Sequence, residues 1–334
     1  MSLLELNSTT FTATGEVNGP AFAAAFAIEG LIGLIANITV LAITLYQRKS
    51  WKQSSTVFFT SFLLANIITV MYMLVSSISI GAGEWIIGST FEEKRATCTF
   101  TAYVIWLDSM ALTMTIAAIS FDRFLFIVKP HRHKYLMKSW IALIVTISLW
   151  VLSAVVNIAP FYSHDEYKAG IYDSQIGICL KSFSDSYLDY IYFFLDILFL
   201  LIIDFIILVT SLWTFCFTCR FMQTQSEMPG NNSVYVSKKW RLFGIFGTML
   251  LAYIIAVIPA YIFGVISIFY TLPPAVNVTA ALAYGSIVIS NPIIQSYFRP
   301  DIKIVLTAII KKIKLKVTRR YQNTTQTDAN MELE

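Results

Sequence analysis

Charge is what this chain has least of. Of its 334 residues, 13% are Asp, Glu, Lys or Arg and 57% are hydrophobic, whereas soluble domains carry about 25% charge. That balance excludes a soluble globule. Histidine is scarcer still, and the three (His131, His133, His164) fall in loop sequence. With no His-rich metal set, paired-carboxylate motif or nucleophile elbow in the sequence, an enzyme is the least supported class. Four cysteines are present. Cys216 and Cys219 have no further zinc ligands nearby, so they are expected to be buried reduced thiols, with reversible palmitoylation as the lesser reading. The opening residues lack a basic, apolar and small-residue signal pattern. No internal repeat of spans, common in transporters, is found. Nothing suggests a separate soluble domain, and nucleic acid is not an expected partner.

What the chain has is long apolar runs. Seven are long enough to cross a hydrocarbon core of roughly 30 Å, at approximately 22–46, 55–80, 97–128, 139–161, 187–219, 240–270 and 276–298. The connections are short, and the longest, 162–186, carries Cys179. Beyond the last run, Pro300 suits a helix's first turn. Residues 302–317 would then separate apolar and lysine side chains onto two faces, as in a helix lying on the membrane surface. The predicted organisation is an all-α membrane protein in four parts. These are a tail at 1–21, a seven-transmembrane bundle at 22–298, an amphipathic juxtamembrane helix at 299–317 and a disordered tail at 318–334.

Orientation follows from where the basic residues sit. Asn7-Ser8-Thr9 is a glycosylation sequon, and its use would place the N-terminus outside the cell. With that orientation Lys94, Arg95, Lys168 and Lys181 lie outside and the other 20 of the 24 Lys and Arg residues lie inside. The six from Lys311 to Arg320 fit an anionic inner leaflet. A multi-pass plasma-membrane protein with an inner C-terminus is expected.

The motifs on these runs resemble those of the rhodopsin-like G protein-coupled receptors, over essentially residues 22–317. Asn37 stands for the first span's asparagine. Leu63-Leu64-Ala65-Asn66 is similar to the second span's Leu-x-x-x-Asp, with Asn for Asp. Trp85-Ile86-Ile87-Gly88 resembles the first outer loop motif. Asp122-Arg123-Phe124 resembles Asp-Arg-Tyr, Trp150 the fourth-span tryptophan and Pro259 the sixth-span proline. Asn291-Pro292-Ile293-Ile294-Gln295 is similar to Asn-Pro-x-x-Tyr, with Gln295 for the tyrosine. The resemblance implies a receptor that passes an extracellular, small-molecule signal to a heterotrimeric G protein. It also implies a disulfide between Cys98 and Cys179, the two cysteines on the outer side, where oxidising conditions favour the bond.

The same resemblance assigns expected roles. Asp122, Arg123, Phe124, Asn291, Pro292 and Gln295 would form the coupling switch, an Asp122–Arg123 ion pair holding the closed state. No acid stands at the inner end of the sixth span, where Lys239 is found, so the lock is short of one partner and basal activity is expected. Ile105, Asp108, Asp196, Tyr261 and Tyr284 are candidates for the ligand pocket. Ionisable groups within spans are costly, and here they are Glu29, Asp108, Asp196 and Asp204. Asp196 could meet a ligand's cation. Asp108, close in depth to Asn66, is a candidate for a sodium ion, against a neutral hydrogen-bonded role. Asn37, Asn66 and Asn291 should meet in mid-membrane. Gly285 falls where opsins carry the retinal lysine, so no retinal and no other cofactor is expected. The chain also departs from the pattern: Ala256-Val257-Ile258-Pro259 lacks the switch tryptophan, and the fifth span has no proline. Two alternatives stay open: a receptor-shaped interaction protein with weak signalling, and a seven-helix transporter using its intramembrane aspartates.

Overall fold

A computed structural model of the chain describes residues 11–46, 53–158, 170–181, 187–226, 272–298 and 302–308. It also describes the separate positions 255, 259, 262, 263, 266, 270, 311, 312 and 315. In order, the elements are helices α1 (Gly19–Tyr46), α2 (Ser54–Ala82), α3 (Phe91–Val128), α4 (Pro130–Leu136) and α5 (Ser139–Ile158). Strands β1 (Gly170–Asp173) and β2 (Ile178–Lys181) follow, then helices α6 (Tyr187–Ser226), α7 (Pro274–Gly285) and α8 (Ile287–Phe298). Among the described residues six helical stretches are long and apolar enough to cross a membrane: α1, α2, α3, α5, α6 and the α7–α8 pair. Residues 255, 259, 262, 263 and 266 are helical as well, within the run at 240–270. The architecture is the expected all-α seven-helix membrane bundle.

Local chemistry sets the ends of these helices. Thr90 caps α3 by accepting from the Glu93 N–H, while the Glu93 side chain returns to the Thr90 N–H. This capping box starts α3 six residues before the apolar run at 97. Gly83 ends α2 in a left-handed conformation, φ 72°, which glycine adopts without cost. Pro130 disfavours helix at Lys129, ending α3, and itself begins the short α4. α4 was not expected from the sequence. α6 runs to Ser226, past the expected inner end of the fifth span at 219.

Small residues let the helices approach, as packing in lipid requires. A Cβ on Gly33 of α1 would stand 2.6 Å from Val288 Cγ2 of α8 and 3.1 Å from Val70 Cγ2 of α2. The core where α1, α2, α3, α5 and α6 meet is built on Phe58, Phe62, Leu63, Met110, Leu112 and Ile203. The opposite side of α1 exposes Ile28, Leu31, Ile35 and Ile38, a face for lipid. Cys216 is exposed and Cys219 half-exposed on α6, so the expectation of two buried thiols is corrected. The span that carries them turns much of its surface outward.

The longest outer connection is not a plain loop. β1 and β2 pair antiparallel, with Tyr172 opposite Cys179, around a turn in which Gly177 has φ 76°. A Cβ on Gly170 would come within 2.6 Å of Thr99 Cα, so the hairpin lies directly on α3. The expected last span is likewise not one helix: it breaks at Ser286 into α7 and α8.

Candidate functional site

At the outer end, Cys98 of α3 is bonded to Cys179 of β2, as expected. Trp85 and Tyr172 pack with the two cysteines, and Trp85 Nε1 donates to Thr97 Oγ1 at 2.9 Å. The Tyr72 hydroxyl donates to the Cys179 carbonyl at 3.2 Å. Residues 11–14 lie across this layer, through Trp85 N to the Phe11 carbonyl and Thr14 N to the Ser174 carbonyl. Burial pushes the Asp173 carboxyl above the usual carboxylate range, against opposing hydrogen bonds from the Gln175 and Ile176 backbone. Burial also raises the Tyr172 phenol to about 12, helped by the charges of Asp173 and Glu84.

The hairpin packs Ile176 and Ile178 against α1, α2 and α8, and it also carries a cation to α6. Lys181, the last residue of β2, places Nζ 2.8 Å from Asp196 Oδ2 of α6 and 5.2 Å from the centre of the Trp106 ring. A narrow cleft below is lined by Trp106, Ser109, Met110, Asn157, Asp196 and Leu200. Of the expected pocket residues, Asp196 is on this cleft. Tyr284 reaches its wall by donating to Ser109 Oγ at 2.9 Å. Ile105 and Asp108 are buried in α3 and do not line the cleft. Tyr261 lies outside the described residues, as does Asn7. Lys181 and Trp106 were missed in the sequence, although Lys181 is one of only four outer cations and stands two residues after Cys179.

In mid-bundle, Asn37 Nδ2 donates to the carbonyls of Gly33 and Val288, each at 2.8 Å. Asn66 Nδ2 donates to Asn37 Oδ1 at 3.2 Å. The expected polar meeting is therefore made by Asn37, Asn66 and the α8 backbone. Asn291 is buried on α8. Asp108 Oδ2 accepts from Thr69 Oγ1 at 2.7 Å, one turn along α2 from Asn66. Asp108 Oδ1 and Asn66 Oδ1 are buried and have no hydrogen-bond partner. A Cβ at Gly285 would stand 2.7 Å from Glu29 Oε2 and 2.7 Å from Met73 Cε, so these side chains crowd the opsin lysine position.

At the inner end the structure corrects the expected ion pair. Asp122 Oδ1 accepts from Ser54 Oγ of α2 at 2.6 Å, and His133 Nε2 of α4 lies 3.1 Å from the same oxygen. Among the described residues no ion pair joins Asp122 to Arg123. The reason is helical geometry: at 3.6 residues per turn, consecutive side chains point about 100° apart. Asp122 is buried toward α2 and α4, while Arg123 is half-buried. Phe124 packs edge-on against Trp213 of α6, with centroids 5.7 Å apart. The His133 ring meets Phe126 edge-on at 5.2 Å. Pro292 lies within α8, and Gln295 is in the same helix.

Comparison with known proteins agrees with this geometry. Residues 36–294 match the family model described as 7 transmembrane receptor (rhodopsin family). The chain is 28% identical over 142 residues, 42% of its length, to "Rhodopsin, GQ-coupled" of Mizuhopecten yessoensis. It is 25% identical over 127 residues, 38% of its length, to "Succinate receptor 1" of Rattus norvegicus. It is 26% identical over 129 residues, again 38%, to "G-protein coupled receptor 183" of Bos taurus. These matches span 27%, 38% and 34% of the relatives' own lengths.

Proposed function

The chain belongs to the rhodopsin family of seven-transmembrane receptors, a family of receptors and not enzymes, and from that premise we propose that it transmits an extracellular small-molecule signal to a heterotrimeric G protein. As a multi-pass plasma-membrane protein it would hold its N-terminus and hairpin outside, consistent with the basic residues gathered on the other side. The ligand would enter at the outer cleft beside Asp196. The coupling face would comprise Arg123, α4, the inner end of α6 and the helix at 302–308, with Asn291, Pro292 and Gln295 behind it and lipid around it.

One observation carries the reading. Asp122 is engaged by Ser54 and His133, which leaves Arg123 without a carboxylate lock among the described residues. A cation in that state at the inner end of α3 supports coupling with basal output. Second-messenger output of wild type against Arg123→Ala tests it, and a basal signal unchanged by the substitution would refute the assignment.

Asp108 is the candidate for sodium. Its unpartnered Oδ1 and the unpartnered Asn66 Oδ1 are hard oxygen donors, suited to such an ion. Asp108 and Asn66 would hold it, and the ion would supply a positive charge to a buried carboxylate. Sodium chloride should then raise the melting temperature of wild type more than equal potassium chloride does, and Asp108→Asn should abolish the difference. An unchanged sodium preference in the variant would remove Asp108 from the site.

A further inference from the structure

The Lys181–Asp196 contact has the parts of a ligand site whose occupant belongs to the chain itself. Both side chains are largely withdrawn from solvent, at 8% and 12% exposure. Nζ sits between a carboxylate at 2.8 Å and the face of Trp106 at 5.2 Å. A carboxylate joined to an aromatic face is a chemistry that selects an ammonium. Asp196 and Trp106 also line a cleft shared with Ser109, Asn157 and Leu200. We propose that Asp196 and Trp106 form an ammonium-binding site, which Lys181 occupies until a ligand carrying an alkylammonium group displaces it. The inference rests on reading the outer end as the ligand side.

The two partners are unequal, and this selects the ligand's charge. Asp196 is held on α6 by a short side chain, largely withdrawn from solvent at 12% exposure. Removing its cation without replacement would leave a largely withdrawn carboxylate unpaired, which is unfavourable. Lys181 ends a strand at the mouth, and its flexible four-carbon stem can carry the ammonium into water. A cationic ligand can therefore take Lys181's place while Lys181 is solvated. A carboxylate ligand would have to take Asp196's place, and the short Asp196 stem cannot swing away as the lysine stem can. The contact thus acts as a self-plug: ligand and Lys181 compete for one carboxylate.

The test uses n-butylammonium, which reproduces the lysine stem and head, on the full chain in lipid nanodiscs. Thermal unfolding is followed in wild type, Lys181→Ala, Asp196→Asn and the double variant. The expected result is a saturable rise of about 2–4 °C in Lys181→Ala, the size a single modest contact gives. A smaller rise is expected in wild type, where Lys181 competes, and none in the double variant beyond that given by equal sodium chloride. Should Lys181→Ala fail to reach the cell surface, n-butylammonium in the medium must restore its surface yield and not that of the double variant. Equal effects in the single and double variants would overturn the proposal. So would stabilisation of Asp196→Asn by succinate with no response of Lys181→Ala to the amine, which would give the site to carboxylates. These readouts need no G protein, so a failure of coupling leaves them intact.

Discussion

The two ends of the bundle are built on the same plan with different materials. At each end a spanning helix supplies a withdrawn carboxylate and the neighbouring connection supplies a basic side chain. At the hairpin end, Asp196 of α6 meets Lys181 of β2. At the opposite end, Asp122 of α3 meets His133 of α4. The outer cation is a lysine on a hairpin fixed by a disulfide. The inner one is an imidazole, charged only when protonated, on a seven-residue helix, and its carboxylate partner also accepts from a hydroxyl of α2. The outer tie is held by covalent structure and opened by competition; the inner one is held by a few hydrogen bonds. A receptor working as proposed, with its ligand at the hairpin end and its coupling face at the other, would be served by that inequality.

Removing the covalent anchor should have the largest effect. The Cys98–Cys179 bond closes 81 residues of chain, for which loop entropy gives roughly 4–5 kcal/mol. Cys179→Ser is expected to abolish most surface expression, measured by flow cytometry against total protein. Normal surface yield would show that the hairpin stays on α3 without it. Cutting the inner tie should come second. Asp122→Ala leaves the Ser54 hydroxyl and the half-buried His133 without their shared acceptor, at about 1–3 kcal/mol for the buried hydroxyl. The variant should melt lower than wild type and give higher basal output at matched surface level, because α4 is released. Unchanged melting would mean the tie is dispensable.

The spans and the disulfide were legible because length and sidedness carry them. Seven apolar runs can be counted, and two cysteines fall on the outer side. The ties were not legible, since each depends on how a short connection folds. Nothing in the residues 162–186 announces that Tyr172 pairs with Cys179, and only that register brings Lys181 to Asp196. His133 reads as a loop residue in the sequence, because nothing there marks the seven-residue α4. The resemblance implies an Asp122–Arg123 pair, yet adjacency on a helix points the two side chains apart. The asparagine cluster was two-thirds legible: Asn37 and Asn66 meet, while the third connection is the Val288 carbonyl, which no sequence pattern marks.

The smallest effect concerns the outer layer alone. Burial raises the Asp173 carboxyl, so the folded state holds its proton more tightly than the unfolded chain. Its contribution to stability is then present below the ordinary carboxylate pKa and lost as pH rises through the raised value. Asp173→Asn carries no such titration. The melting temperature of wild type should therefore fall relative to the variant over that window, and parallel curves would contradict the assignment.

The most direct measurement is basal second-messenger output in cells carrying a panel of G proteins, with wild type and Arg123→Ala at equal surface density. A ligand-free signal from wild type with at least one G protein, and its loss in the variant, is the expected result. Wild-type output no greater than that of empty membranes across the whole panel would contradict it.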